Sequence, residues 1–357
     1  MRRLVIPIVV ALLVSGHMWA QETPAPSPGA VKGDPYSCPV DGRKFTHPQS
    51  RIGSLQGGVD SDHCTYEGNG DWVLYSIVVC PRCNYAAIRD TFPRAFNPKQ
   101  RQAILKATAD SSYRGVTEAM TEIPPWERAE LALKCSKALD EPLSMQIQYL
   151  HMASWMARVK AVRPATRAYP IASPILVDDF VRLIGRKVER ADTPKEKNRL
   201  KLHTAMIHQR GGDVTERDKV LAELDQAAAK DPLLKTRIDE FRKLNVVEAG
   251  YQKRALELID QRLAGEDVRP DERLMMTYIK ADTLRRLGLK EDAIKTFREV
   301  RRLMRRPSQL RTMTDYLLTR LAPGEPLPKP EAPKPETPKE TETPKTPEDP
   351  EPSPPAD

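Results

Sequence analysis

The chain has 357 residues, of which 33 are proline and five are cysteine, and its formal net charge is +8. Five cysteines are too few for a chain of this length to be a scaffold held together by disulfides. Buried apolar side chains therefore have to stabilise the fold. Because only 39% of the residues are apolar and proline is abundant, part of the chain must be tail or linker rather than packed core.

The first twenty residues are typical of an export signal. Two arginines at positions 2–3 precede a mostly apolar run at 4–14, and the chain then offers a cleavage position near Ala20. We therefore predict a signal peptide over 1–20 and export to the periplasm. Met18 is a poor residue for the third position before the cut, so an uncleaved membrane anchor is the alternative. Residues 21–37 are rich in proline and small side chains and are predicted to be a disordered linker.

Residues 38–92 are predicted to form a small zinc-ribbon-like β element. The segment contains two tight turns, which begin at Cys38-Pro39 and Cys80-Pro81. Two ligands three positions apart in such a turn converge on one ion, and the proline fixes one backbone angle. The run 72–79 is rich in β-branched and aromatic residues, which predicts a strand that ends at Cys80.

The candidate metal ligands are four cysteines and one aspartate. The second turn supplies Cys80 and Cys83, whereas the first supplies Cys38 and has Asp41 where a second cysteine would stand. Cys64 lies between the two turns. An aspartate can bind zinc through oxygen, but a thiolate binds this ion more strongly, so we expect Cys64 rather than Asp41 to be the fourth ligand. The predicted cofactor is a structural zinc ion.

The residue after each turn supports a shared geometry, because Gly42 and Asn84 both tolerate a left-handed backbone. Two other uses of the cysteines remain open. Export would place an even set of four thiols in an oxidising compartment, where they could form disulfides. Cys80 and Cys83 could instead exchange thiols, although a thioredoxin-type pair needs a βαβ context that is not visible downstream.

Other candidate residues are interpreted as structural. Asp60 and Asp62, next to His63, follow a Gly-Gly turn and are expected to be hydrogen-bonding loop acids rather than a metal or acid–base cluster. Cys135 shares an apolar helix face with Leu131 and is expected to be buried. No P-loop, dinucleotide-binding or Ser/His/Asp pattern is present, so we predict no catalytic residues and no enzyme.

Three motifs carry a family resemblance. They are Cys38-Pro-Val-x-Gly-x-x-Phe45, Asp60-Ser-Asp62, and Val79-Cys80-Pro-x-Cys83-x-Tyr85-Ala-Ala87. Together they resemble the bacterial family catalogued as domain of unknown function 2225. The resemblance, traced over about 38–305, implies a zinc-ribbon-like start, tetratricopeptide-like helices after it, and no established activity. The family pattern has Cys and Gly where this chain has Asp41 and Asn84.

After a connecting segment at 93–123, the spacing of apolar residues changes to that of helices. Helices are predicted over 126–138, 145–162, 175–190, 194–209, 214–230, 232–244, 247–263, 272–287, 291–304 and 310–321. Short connections between them predict stacked antiparallel hairpins over 124–321, and the one long break, 163–174, is expected to be an exposed excursion.

A repeat is suggested within these helices. Gly212, Gly250 and Gly288 recur at equal intervals, and 281–300 resembles a tetratricopeptide unit, with small residues at its helix contacts. The predicted fold is therefore mainly α: a tetratricopeptide-like array of α-hairpins with a small N-terminal zinc-ribbon-like β element.

The end of the chain has the opposite charge to the folded body. Residues 322–357 hold thirteen prolines, nine acids and four lysines and are predicted to be a disordered tail, while 268–321 hold fourteen Lys and Arg against seven acids. We expect the tail to contact this basic end when no partner is present. The predicted partner is a protein or peptide, acidic in character; contact with cell-envelope glycan or a membrane surface is a further option, and nucleic acid is not expected because aromatic platforms are scarce.

Taken together, these features predict an exported, non-enzymatic adaptor that holds proteins together. The alternative is an envelope thiol–disulfide oxidoreductase or redox sensor that uses Cys80 and Cys83.

Overall fold

The structure, a computed structural model, describes residues 33–48, 58–66, 72–113, 115, 122–169, 171, 173–304 and 306–327. Within these ranges the chain folds into four short strands followed by ten α-helices, which confirms the predicted mainly α class with a small N-terminal β element. The predicted signal peptide and most of the predicted tail lie outside the described residues. None of the described helices has the length and apolar character needed to cross a bilayer.

The β element consists of two separate antiparallel hairpins. Strand β1 (Gly33–Ser37) pairs with β2 (Lys44–Pro48), and β3 (Ile77–Val79) pairs with β4 (Ala86–Ile88). Strand β1 begins inside the segment that we assigned to a linker, because its backbone pairs with β2 along its whole length. The strand predicted over 72–79 is only partly correct, since Trp72–Tyr75 form a 3-10 turn and the strand starts at Ile77.

The ten helices are α1 (Pro98–Ala107), α2 (Pro125–Ala138), α3 (Leu143–Ala168), α4 (Val177–Arg190), α5 (Pro194–Gly211), α6 (Val214–Ala228), α7 (Pro232–Leu263), α8 (Pro270–Arg286), α9 (Lys290–Leu303) and α10 (Gln309–Leu321). Five of them begin at a proline, which suits the first turn because its missing N–H would have no partner inside the helix. Polar side chains also cap helix starts: Thr193, before Pro194 of α5, accepts a hydrogen bond from the backbone of Glu196, and Ser308, before α10, accepts one from that of Arg311.

Two predicted breaks are wrong. The helices predicted over 232–244 and 247–263 form the single 32-residue helix α7, which runs without a break through Asn245 and Gly250. The excursion predicted over 163–174 is not exposed throughout. Helix α3 continues past Pro164 to Ala168, and Tyr169 and Ile171 are buried.

Two of the three glycines of the predicted repeat lie at equivalent positions, just after a helix. Gly212 ends α5 and Gly288 follows α8, and both have the left-handed backbone that glycine adopts without strain. Gly250, in contrast, lies inside α7. The α5–α6 and α8–α9 hairpins therefore share a turn that the middle copy lacks.

The β element and the helices share one apolar core. Cys64, Val73 and Ile77 from the N-terminal part pack in the same cluster as residues of α2 to α7. A second cluster lies beneath the two Cys-Pro turns, and a third joins α8, α9 and α10. The N-terminal element is thus fixed against the helices.

Candidate metal centre

The two Cys-Pro turns have the same backbone hydrogen bonds. In the first, Gly42 N–H donates to the Cys38 carbonyl at 2.9 Å and Cys38 N–H donates to the Arg43 carbonyl at 2.8 Å. In the second, Asn84 N–H donates to the Cys80 carbonyl at 3.0 Å and Cys80 N–H donates to the Tyr85 carbonyl at 2.9 Å. Each turn closes one hairpin of the β element.

The predicted left-handed positions are confirmed, with φ of 73° at Gly42 and 59° at Asn84. Because the two turns have the same backbone hydrogen bonds, the residue three positions after Cys38 corresponds to the residue three positions after Cys80. These residues are Asp41 in the first turn and Cys83 in the second.

The geometry brings four candidate ligands together. The ligand atoms of Cys38, Asp41, Cys80 and Cys83 all lie within 4.8 Å of one another. The sulfurs of Cys38 and Cys83 are 3.6 Å apart, and the Cys80 sulfur lies 3.7 and 3.8 Å from the two Asp41 oxygens. A tetrahedral zinc ion with sulfur ligands at about 2.3 Å sets neighbouring sulfurs about 3.8 Å apart. The arrangement of the four residues is compatible with a metal site.

Cys64 does not belong to this group. It is fully buried in the main core, and its backbone N–H donates to Asp62 at 3.3 Å. The isolated bridge between Val59 and Thr65 closes this loop on itself, and the loop packs against the helices rather than against the Cys-Pro turns. The expectation that Cys64 rather than Asp41 would be the fourth ligand does not agree with this placement.

All five cysteines are free thiols in the structure. The separation of 3.6 Å between Cys38 and Cys83 is a hydrogen-bond contact and exceeds the about 2.05 Å of a disulfide bond. Cys135 is 1% exposed and packs in the cluster beneath the turns, which agrees with its predicted role as a buried apolar residue.

The three thiols of the group affect one another's protonation. Hydrogen bonds from Cys38 and Cys83 lower the pKa of the Cys80 thiol to about 3. The hydrogen bond with Cys80 raises the pKa of Cys38 to about 12, and contacts with Cys38 and Cys80 raise the pKa of Cys83. One thiolate is therefore favoured within the group, and a bound cation would favour the thiolate form of all three.

Asp60 and Asp62 hydrogen-bond as expected, but their partners are arginines of distant helices. Arg210 of α5 donates to Asp60 at 2.9 Å. Arg158 of α3 pairs with Asp62, and Arg286 of α8 lies 3.4 Å from the same carboxylate. All five side chains are at most 2% exposed.

Ser61 joins the same network. Its hydroxyl donates to Asp282 at 3.0 Å and accepts from Arg285 at 3.0 Å, while Tyr278 donates to the Ser61 carbonyl at 2.6 Å. The short loop at 58–66 is thus held by α3, α5 and α8 together.

The charges of this network balance. Its members are the arginines Arg158, Arg210, Arg285 and Arg286 and the carboxylates Asp60, Asp62, Glu248 and Asp282. Burial acts to raise the pKa of Asp62, but the charges of Arg158 and Arg286 outweigh it and hold the pKa below its usual range. Burial raises the pKa of Glu248 despite the same two arginines. Sequence analysis could not identify this cluster, because its members are up to 226 positions apart, from Asp60 to Arg286.

The comparisons with known proteins concern the part of the chain that holds the ligand group. Residues 33–170 match the family described as "Uncharacterized protein conserved in bacteria (DUF2225)". The matched range contains both hairpins and helices α1 to α3. It ends at residue 170, whereas we traced the resemblance to about residue 305. No curated protein and no solved structure matches the chain. Over residues 33–170, the chain is thus similar to the uncharacterized bacterial family DUF2225.

Proposed function

We propose that the chain is an exported, non-enzymatic scaffold in which a structural zinc ion stabilises the N-terminal β element and the helices present a docking surface to another protein. The observation that carries the proposal is that four protein ligand atoms, from Cys38, Asp41, Cys80 and Cys83, lie within 4.8 Å of one another. Structural zinc sites use four protein ligands, whereas catalytic sites keep one position open for water or substrate.

The position of the group in the fold supports a structural role. Cys38 and Asp41 belong to the β1–β2 hairpin, and Cys80 and Cys83 belong to the β3–β4 hairpin. No ladder of backbone hydrogen bonds joins these two sheets within the described residues. An ion held by both turns would therefore cross-link them, and the hydrogen bond from Thr108 to the Cys83 carbonyl, at 2.8 Å, extends the link to α1.

Thiol exchange at Cys80 and Cys83 is the second candidate, favoured by the low pKa of the Cys80 thiol. A cysteine that exchanges disulfides with another protein needs access to it. Cys80 is 0% exposed and Cys83 is 4% exposed, so the structural role agrees better with the burial.

The experiment is elemental analysis and thiol counting on the full chain, purified from its export compartment without added metal. We expect about one zinc ion per chain, and thiols that react with a thiol reagent only after a chelator is added. Absence of metal together with absence of free thiols among Cys38, Cys64, Cys80 and Cys83 would contradict the zinc site and favour disulfides.

A further inference from the structure

Helices α3, α5 and α7 surround a cavity of about 400 Å³. Its floor is apolar and includes Leu202, Met206, Phe241 and Leu244, each of which is at most 6% exposed. A cavity of this size is in the range that accepts a ligand group.

A second cavity, of about 420 Å³, adjoins the first and shares Lys160, Arg163, Glu240 and Leu244 with it. It continues past Trp126 at the start of α2. The two cavities form one elongated depression, which we name the α3–α7 groove. An elongated shape suits an extended segment of chain better than a compact small molecule.

The rim of the groove is basic. The exposed side chains that line it are the cations Lys160, Arg199, Arg237 and Lys243 and the acids Glu122 and Glu240. Lys160 lies 5.6 Å above the ring of Trp126, so part of the rim combines a cation with an aromatic face. Exposed cations of this kind contribute to the rate and specificity of binding an anionic partner.

Arg199 of the rim lies 4.0 Å from Glu196, and both side chains are about half exposed. In the basic C-terminal end, several pairs are instead buried. Arg285 and Arg286 pair with Asp282, and Arg301 pairs with Asp315. The count of basic residues over 268–321 therefore overstates the charge that this end offers to a ligand.

One polar side chain in the wall of the groove is buried without a hydrogen-bond partner. His203 is 9% exposed, and its Nδ1 has none. Burial, and then the charges of Arg199 and Arg237, lower the pKa of His203 to about 4, so the ring is neutral. A polar group of a ligand in the cavity would supply the hydrogen bond that this buried atom lacks.

We propose that the α3–α7 groove binds an acidic peptide segment of a partner protein, with one apolar side chain of the segment in the cavity over Phe241 and its carboxylates on the basic rim. This inference rests on the proposed scaffold function and specifies the chemistry of its partner. The chain's own tail fits less well, because residues 328–357 are acidic but contain no aromatic or large aliphatic side chain for the cavity.

The test is fluorescence anisotropy of the full chain with a labelled octapeptide of glutamate and aspartate that contains one leucine and one phenylalanine. Arg199→Glu combined with Arg237→Glu reverses the rim charge. Arg186→Glu combined with Arg190→Glu makes the same charge change at exposed positions of α4 outside the groove. We expect about tenfold or greater loss of affinity in the rim variant and less than about twofold in the control. A peptide with serine in place of leucine and phenylalanine should also bind about tenfold more weakly.

Equal losses in the two variants would overturn the proposal, because they would show only general charge attraction. Equal or tighter binding of a synthetic peptide of residues 328–357 would also overturn it and identify the tail as the occupant. Zinc content is measured on every sample. Absent peptide binding with zinc retained would refute the groove assignment alone, whereas absent zinc would refute the proposed structural site.

Discussion

Replacing Cys80 by alanine is expected to release the metal ion and to lower the free energy of unfolding by about 4 kcal/mol or more. The ligand atoms are assembled only in the folded chain, so metal binding stabilises the fold, by about 4 kcal/mol when free metal is a thousandfold above its dissociation constant. Urea unfolding of the full chain measures the loss. A chelator should lower the stability of the unsubstituted chain to that of the variant and should leave the variant unchanged.

The matched control is Cys135→Ala, which removes the same atoms from a buried cysteine in the apolar cluster beneath the turns. We expect it to retain the metal and to lose only about 1 kcal/mol, the cost of a small cavity. Similar losses in the two variants, with a chelator acting on neither, would show that Cys80 contributes by packing alone.

Replacing Arg158 by methionine is expected to cost about 3–5 kcal/mol, because removing one partner of a buried ion pair leaves charge without compensation. The Arg158 side chain is 0% exposed and faces Asp60, Asp62 and Glu248. Arg242→Met is the control, since Arg242 pairs with Asp225 at 2.7 Å while both are more than 40% exposed. An exposed pair of this kind contributes about 1 kcal/mol or less.

A double-mutant cycle separates charge from packing at this site. Arg158→Met leaves the buried network with one excess negative charge, and adding Asp62→Asn removes it, so we expect the second change to cost less than it does alone. Additive losses would mean that the two side chains do not interact energetically. Hydrogen exchange of the loop at 58–66 should increase in the single variant, because the pair holds the loop to α3.

The geometry of the two turns could be predicted because it depends on local chemistry. Proline after Cys38 and Cys80, and residues tolerant of a left-handed backbone at Gly42 and Asn84, determine a turn without reference to the rest of the fold. The identity of the fourth ligand depends on how loop 58–66 packs. Ligand strength alone favoured Cys64, whereas the loop carries that thiol into the main core.

Helix starts were predictable where a proline begins the helix, as at Pro194 and Pro232. Helix boundaries were not predictable where tertiary packing extends a helix. Helix α7 continues through Val246, which is 73% exposed. Its extensive packing against α3 stabilises it as one continuous helix. The arginine–carboxylate network could not be inferred for a related reason: isolated Asp and Arg residues give no sign that distant helices will bring them together.

Zinc K-edge X-ray absorption on the full chain as purified identifies the atoms bound to the metal. We expect one zinc site with three sulfur ligands at about 2.3 Å and one oxygen ligand at about 2.0 Å, from Cys38, Cys80, Cys83 and Asp41. The oxygen signal should be replaced in Asp41→Cys by a fourth sulfur. A spectrum of four sulfurs in the unsubstituted chain, or the absence of bound zinc, would contradict the proposed zinc site.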